Sequence, residues 1–154
     1  MQTIDSLLLI ACSNRKVRSN GLLAAIERYD GGTYRVIRKM HREKKFPSNV
    51  DVKIISAKYG LINANTLIEY YDQRMTTQRA NELKPLIQKS LGADFRQNEY
   101  TEVYIDLGKD YLITISGVEI PASITQLTAY GRIGERLSRL KEWLTQRASE
   151  ESLR

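Results

Sequence analysis

Leu7-Leu8-Leu9-Ile10-Ala11 is an unbroken apolar run, and the polar cluster Cys12-Ser13-Asn14-Arg15-Lys16 follows it without a spacer. A strand with one wet face alternates apolar and polar residues, whereas a short continuous run suits a strand covered on both faces. Such strands belong to mostly parallel sheets with a helical layer on each side, which directs the chain toward the α/β class. Residues 50–55 and 102–107 repeat the strand pattern, and Val118-Glu119-Ile120 suggests a brief fourth strand stopped by Pro121.

Helical spacing fills the intervals. Asn20 is placed to cap a helix burying Leu22, Leu23, Ile26 and Tyr29 and ending at Asp30-Gly31-Gly32. Thr33 is placed to cap a second, with Tyr34, Ile37 and His41 on one side, stopping near Pro47. A third starts at Thr76 or Thr77 and buries Ala80, Leu83, Ile87 and Leu91, with a kink or break expected at Pro85. Gly108-Lys109-Asp110-Tyr111 opens a short helix or a loop. Ile133, Leu137, Leu140 and Leu144, with Trp143 beside them, predict the last helix. Residues 63–75 show no clear period and are expected to cross the carboxyl edge of the sheet as an ordered loop. The expected architecture is a three-layer α/β sandwich on a mostly parallel sheet of about four strands. One domain would span residues 1–148, and 149–154 would form a polar tail.

Composition removes several function classes. No apolar run approaches the ~20 residues needed to cross a bilayer. The first residues lack the basic region of a secretory leader. One cysteine forms no internal disulfide, so a reducing cytoplasm is the expected setting. One cysteine and one histidine supply no transition-metal spacing, so no metal site is expected. The net charge of +6 permits attraction to nucleic acid.

In parallel α/β sheets, ligands bind outside the carboxyl ends of the strands. Polar clusters follow Ala11, Ile55 and Ile105, all at that edge. After Ala11, free backbone N–H groups with Ser13, Arg15 and Lys16 suit a phosphate or carboxylate, although a Walker loop is excluded because its glycines are missing. Cys12 is either a small buried residue or a thiol nucleophile, and the only histidine, His41, lies on a separate helix. After Ile55, Ser56 can donate to a ligand oxygen, Lys58 can hold an anion and Tyr59 can stack on a flat ring before Gly60 turns the chain. Equally, Ser56 caps the strand end, Lys58 sits in water and Tyr59 packs under the loop. Asp72, beside Tyr70 and Tyr71, can accept from a ribose hydroxyl or a base edge, activate water, or bond its own loop.

Asp106 with Lys109 and Tyr111 forms a further candidate site, the alternative being an Asp106–Lys109 surface ion pair. Gly131 and Gly134 let the last helix approach an anion, or simply pack closely. Arg35, Arg38, Lys39, Arg42, Lys44 and Lys45 concentrate positive charge, with Glu43 the one acid among them. They predict either contact with nucleic-acid phosphates or a solvated face.

"LIACSNRK", "IISAKYGLI", "IEYYDQRM", "VYIDLGKDY" and "YGRIGERLSRLKEWL", in this order, carry a resemblance. Together they resemble a family of bacterial and phage domains of unknown function. Its members carry a Cys-Ser-x-x-Lys end to the first strand, a Ser-Ala-Lys-[Tyr/His]-Gly-Leu end to the next and a Tyr-Asp in the following loop. That family is distantly similar to the YaaA-like peroxide-stress proteins and to the base-modifying module of archaeosine synthase. The resemblance implies an α/β sandwich like uracil-DNA glycosylase in outline, with a site at the carboxyl edge. The motif positions here are Cys12, Ser13, Lys16, Ser56, Lys58, Tyr59, Gly60, Tyr71 and Asp72. One departure is that such families place two glycines before a Lys-x-Tyr segment, where this chain has Leu107-Gly108 ahead of Lys109.

The resulting expectation is an enzyme directed at a nucleobase, nucleotide or nucleic acid, for base modification or glycosidic-bond chemistry. Lys16 and Lys58 would hold phosphate or developing negative charge, Tyr59 or Tyr71 would stack on the base, and Asp72 would orient or deprotonate the attacking group. The alternative is a non-catalytic module binding nucleic acid or a nucleotide, as a subunit of a phage or defence assembly.

Overall fold

A computed structural model describes residues 3–152. In chain order the elements are β1 (Ser6–Ala11), β2 (Leu23–Ala24), α1 (Ala25–Arg28), α2 (Gly32–Arg42), β3 (Val50–Ser56), β4 (Gly60–Asn63), β5 (Leu67–Ile68), α3 (Thr77–Gln97), β6 (Glu102–Asp106), α4 (Lys109–Ile115), β7 (Thr125–Thr128) and α5 (Ile133–Ser152). The main sheet has five strands in the order β4-β3-β1-β6-β7. All its neighbours pair in parallel except β4, which runs antiparallel to β3 at one edge.

Burial explains why β1 lies at the centre. Leu7, Leu8, Leu9 and Ile10 are each at most 1 % exposed, so both faces of the strand are covered. Leu8 and Ile10 point into one core with Ile54, Tyr104, Tyr34 and Ile37 of α2, and Leu140 and Leu144 of α5. Leu7 and Leu9 point into another with Val103, Ile105, and Leu83, Ile87 and Leu91 of α3, while Tyr111 and Ile115 of α4 pack against its margin. The result is three layers, with α2 and α5 on one face and α3 and α4 on the other. The chain leaves β1 toward α2 but leaves β6 toward α4, so the connections diverge at the carboxyl ends of the central strands. Crevices form at such a point.

The structure departs from the expected elements where pairing overrides spacing. No helix starts at Asn20. Gly21 has φ +83° and Leu22 is 56 % exposed. The next residues form β2 against β5, then a single helical turn held by Ala25 and Ile26 N–H groups donating to the carbonyls of Thr66 and Ala64. α2 starts two residues early, on Gly32 with Gly31 as its cap, and buries Met40 rather than His41, whose ring stacks on Phe46. Residues 118–120 form no strand; the fourth parallel strand is the wholly exposed β7. The segment expected as a loop from 63 instead follows the β3–β4 hairpin and contains β5. α3 runs through Pro85 without a break, because Ala80, Leu83, Ile87, Leu91 and Phe95 hold both halves against the sheet. Thr76 caps it, accepting from the Arg79 N–H. Residues 149–152 continue α5, where Glu150 pairs with Arg147 at 2.6 Å and Glu151 accepts from Ser48. Among the described residues no helix is long and apolar enough to cross a membrane.

Ile87 and its neighbour Leu86 separate packing from exposure, being 0 % and 53 % exposed. Ile87→Ala is expected to cost about 2–5 kcal/mol, and Leu86→Ala about 0.5 kcal/mol or less. Urea denaturation of the two variants checks the contrast, and equal losses would refute this account of the core.

Candidate active site

Ser56 ends β3 with no exposed surface. Its Oγ accepts the backbone N–H of Lys58 at 3.2 Å and of Tyr59 at 3.1 Å, which shapes the turn before Gly60, at φ +81°, reverses the chain into β4. The same oxygen lies 3.0 Å from the Tyr71 hydroxyl and 3.3 Å from that of Tyr29, and the two phenols are 2.6 Å apart. Burial pushes Tyr29 up to about 12 and Tyr71 further above the usual phenol value, so both keep their protons. This knot joins β3 to two segments distant in sequence. Ser56 is thereby enclosed beneath the edge, with its oxygen committed to the turn, and does not face a ligand cavity. Tyr71 is only 6 % exposed and meets Tyr29 and Tyr59 edge-on, so it offers no open face for a base.

Cys12 extends the β1 ladder through its N–H to the Ile55 carbonyl. Its Sγ accepts the Ala57 N–H at 3.4 Å and lies 3.0 Å from the Tyr111 hydroxyl. Burial, and then the adjacent Cys12, push Tyr111 well above the usual phenol value, so the phenol holds its proton. Lys16 extends over the Tyr71 ring, 4.6 Å from its centroid, and its backbone bridges to Tyr29. Burial lowers the Lys16 pKa, while Cys12 and Asp72 pull it back up. Asp72 is exposed, and its electrostatic tie to Lys16 makes it part of the same neighbourhood. Lys58 is exposed, with Nζ 5.2 Å from the Tyr59 ring centroid and 5.8 Å from that of Tyr71.

A cleft of about 350 Å³ opens on the other side of Cys12, where β1 and β6 end and α2 and α5 begin. Cys12 and Ser13 form one wall, Gly31 and Thr33 a second, and Asp106 and Arg136 a third. Arg136 donates to Asp106 at 2.6 Å, so the partner of Asp106 is an arginine one turn into α5 rather than Lys109, which stays exposed. Gly31 packs closely on Ser13, since a Cβ there would come within 2.9 Å of the Ser13 Oγ and displace it. Gly131, at φ +94°, lines the cleft; Gly134 does not, and a Cβ there would touch nothing within 4 Å. Ser56, Lys58, Tyr59, Tyr71 and Asp72 thus group on the lysine side of Cys12, and Ser13, Asp106 and Gly131 on the cleft side.

The basic helix is partly committed to internal bonds. Arg38 donates to the carbonyls of Ile26 and Tyr29 and to Asp30, and Arg35 pairs with the same carboxylate at 3.1 Å. The Arg38 guanidinium is thus largely engaged within the fold, while Arg35 stays half exposed. Lys39, Arg42, Lys44 and Lys45 are exposed, but Arg42 stands ten residues beyond Gly32, about 15 Å along the helix from the cleft. Among the described residues, no group of three or more His, Cys, Asp or Glu side chains is placed to hold a metal ion. Sequence reasoning missed Arg136, because an arginine inside a charged helix carries no local mark, and it placed Tyr29 only as a packing residue.

A three-layer α/β domain with a thiol, two lysines and a carboxylate–guanidinium pair at the carboxyl edge of its sheet is the class defined by this fold and site. The chain belongs to DUF6884, a family of unknown function whose pattern matches residues 7–142. Its fold is similar to the crystal structure of AF0587, a protein of unknown function, with a TM-score of 0.55 and 17 % identity over 91 % of this chain. The match covers 44 % of that protein, so this chain spans less than half its length. No curated protein matches the sequence.

Ser56→Ala leaves the Lys58 and Tyr59 amides without their acceptor and is expected to cost about 2 kcal/mol, measured by urea denaturation. A loss under about 0.5 kcal/mol would show that the knot does not hold the turn. A second expectation concerns acid. Arg35 and then Arg38 hold the Asp30 carboxyl at about 2, below its usual 3.8. A depressed carboxylate stabilises the fold above its unfolded value and loses that contribution as pH falls through the folded one. Asp30→Asn should therefore be less stable than the parent above about pH 4 and converge with it near pH 2, as followed by denaturation across that window.

Proposed function

We propose that this protein is an enzyme that modifies a nucleobase, carried by a nucleotide or a nucleic acid strand, with Cys12 as the attacking group. The observation that carries this reading is the set of groups around one sulfur. The Tyr111 hydroxyl lies 3.0 Å from Sγ, the Ala57 N–H donates from 3.4 Å, and the Lys16 ammonium lies within electrostatic reach. Donors and positive charge are what a nucleophilic sulfur needs beside it.

The cleft next to the thiol suits a planar heterocycle. Asp106 and Arg136, 2.6 Å apart, present an acceptor and a donor side by side, matching the N–H and carbonyl groups along a base edge. The first N–H groups of α2 border the same cleft and suit the negative charge of a phosphate. Resemblance of the strand-end motifs to the base-modifying module of archaeosine synthase supports the same substrate class.

In the step this arrangement would perform, the Cys12 sulfur pair forms a bond to an electrophilic ring carbon. The π pair of that C=N moves to the ring nitrogen, which takes up the proton that the thiol releases. Nothing is oxidised or reduced. The Lys16 ammonium favours that release by stabilising negative charge on sulfur, and the exposed Asp72 shares its electrostatic neighbourhood. Ser56 and Tyr71 act from below by fixing the turn and the ring over which Lys16 lies.

Incubation with DNA, RNA and nucleotides, followed by mass spectrometry of the products and of the protein, tests the proposal. A covalent adduct on Cys12 is expected, with turnover reduced by at least about 1000-fold in Cys12→Ser and by roughly 10-fold in Tyr111→Phe. Undiminished turnover in Cys12→Ser, or no product from any of these substrates, would falsify it.

A further inference from the structure

Arg28 is an unusual residue to find at 0 % exposure, and nothing in the chemistry proposed for Cys12 uses it. Its guanidinium donates to the carbonyls of Val17, Ser19, Gly21 and Ile68 and to the Ser19 hydroxyl, at 2.7–3.3 Å. A buried cation is costly, and here it is used to hold the loop 17–21 against the end of β5. Three consecutive exposed polar residues, Arg18, Ser19 and Asn20, are displayed by that rigid loop. With Tyr70 they line a notch of about 350 Å³.

Tyr70 is 37 % exposed, and the Arg18 guanidinium lies 5.5 Å from its ring centroid. An accessible aromatic ring, a cation over it and an amide and hydroxyl at the margin are the components of a site that stacks one base and bonds its edge or its phosphate. Exposed Arg15 and Arg74 flank these residues in sequence, as do the acidic Glu69 and Asp72. The position is informative. Arg18 lies two residues beyond Lys16 and Tyr70 one before Tyr71, so the notch is within about 7 Å of chain from the lysine side of Cys12.

We infer that the notch formed by Arg18, Ser19, Asn20 and Tyr70 holds one base of a single-stranded nucleic acid on the lysine side of Cys12, while another nucleotide of the same strand occupies the cleft. This inference rests on the nucleobase reading of that cleft and deepens it, because it makes the substrate a strand rather than a free nucleotide. A base in a duplex is stacked on both sides and cannot enter, so single strands bind and duplexes do not compete equally. The preformed loop reduces the ordering cost of capture.

Fluorescence anisotropy with labelled single strands of about 12 nucleotides, DNA and RNA, tests this without requiring turnover. Duplex of the same sequence, polyphosphate and mononucleotides serve as competitors. The expected result is salt-dependent binding of the single strand, weakened about 10-fold or more by Tyr70→Ala and retained by Tyr70→Phe. Arg18→Ser should weaken binding and flatten its salt dependence. The exposed position of Tyr70 lets the variants fold, and circular dichroism checks that they have. If Tyr70→Ala binds the strand as tightly as the parent, or if duplex or polyphosphate competes as well as single strand, the inference fails. If mononucleotides are modified through Cys12 while no strand binds, the notch is refuted and the cleft chemistry stands. A strand bound through Tyr70, with turnover undiminished in Cys12→Ser, supports the notch and overturns only the thiol.

Discussion

Three hydroxyls that satisfy one another below the sheet edge set the position of nearly everything above them. Ser56, Tyr29 and Tyr71 come from β3 and from two separate loops, and their oxygens lie within 2.6–3.3 Å of each other. Each would be expensive to bury alone, so the cluster is stable only when all three arrive together. Its outputs are specific. The Ser56 oxygen shapes the turn whose Ala57 N–H meets the Cys12 sulfur, and the Tyr71 ring becomes the surface beneath Lys16 and Lys58. Groups suited to chemistry and groups that hold them in place are thus adjacent in sequence but face opposite ways.

Two ammonium groups over one phenol ring would repel each other in a less constrained setting. The ring faces attract both, and the exposed Asp72 supplies a compensating charge on the Lys16 side. Lys16 is the half-buried member of the pair, and that burial lowers its pKa, whereas Lys58 stays exposed. Placement, not residue type, therefore divides the two lysines into different chemical roles.

The strands β1, β3 and β6 were legible because continuous apolar runs have few alternatives, and their order placed three polar clusters at one edge. β7 was not legible. Thr125, Gln126, Leu127 and Thr128 carry no apolar pattern, and they form a strand only because β6 offers an edge to pair with. The helix expected at Asn20 failed for the converse reason: Leu22, Leu23 and Ile26 have helical spacing, but the backbone between them pairs with β5. Within the site, Ser56 was legible as a strand end, yet its burial depends on Tyr29 and Tyr71, 27 and 15 residues away. Arg136 reaches Asp106 across 30 residues. No local pattern encodes such a pairing, because the fold alone brings the two together.

The same distinction changes what the net charge of +6 means. Counted along the sequence, the densest positive stretch is α2 and its exit, yet Arg35 and Arg38 are held by Asp30 and by backbone carbonyls. Arg79 is held largely by the carbonyls of Ala57 and Lys58. Arg28 is bonded to carbonyls and a hydroxyl, with no carboxylate among these partners. Carbonyl partners satisfy the donors of a guanidinium without cancelling its charge. A cation so placed keeps its field, and salt screens a buried charge far less than an exposed one. The field beneath the loop 17–21 is therefore positive from below, through Arg28, as well as from Arg18 above, at the point on the edge where an exposed aromatic ring also stands.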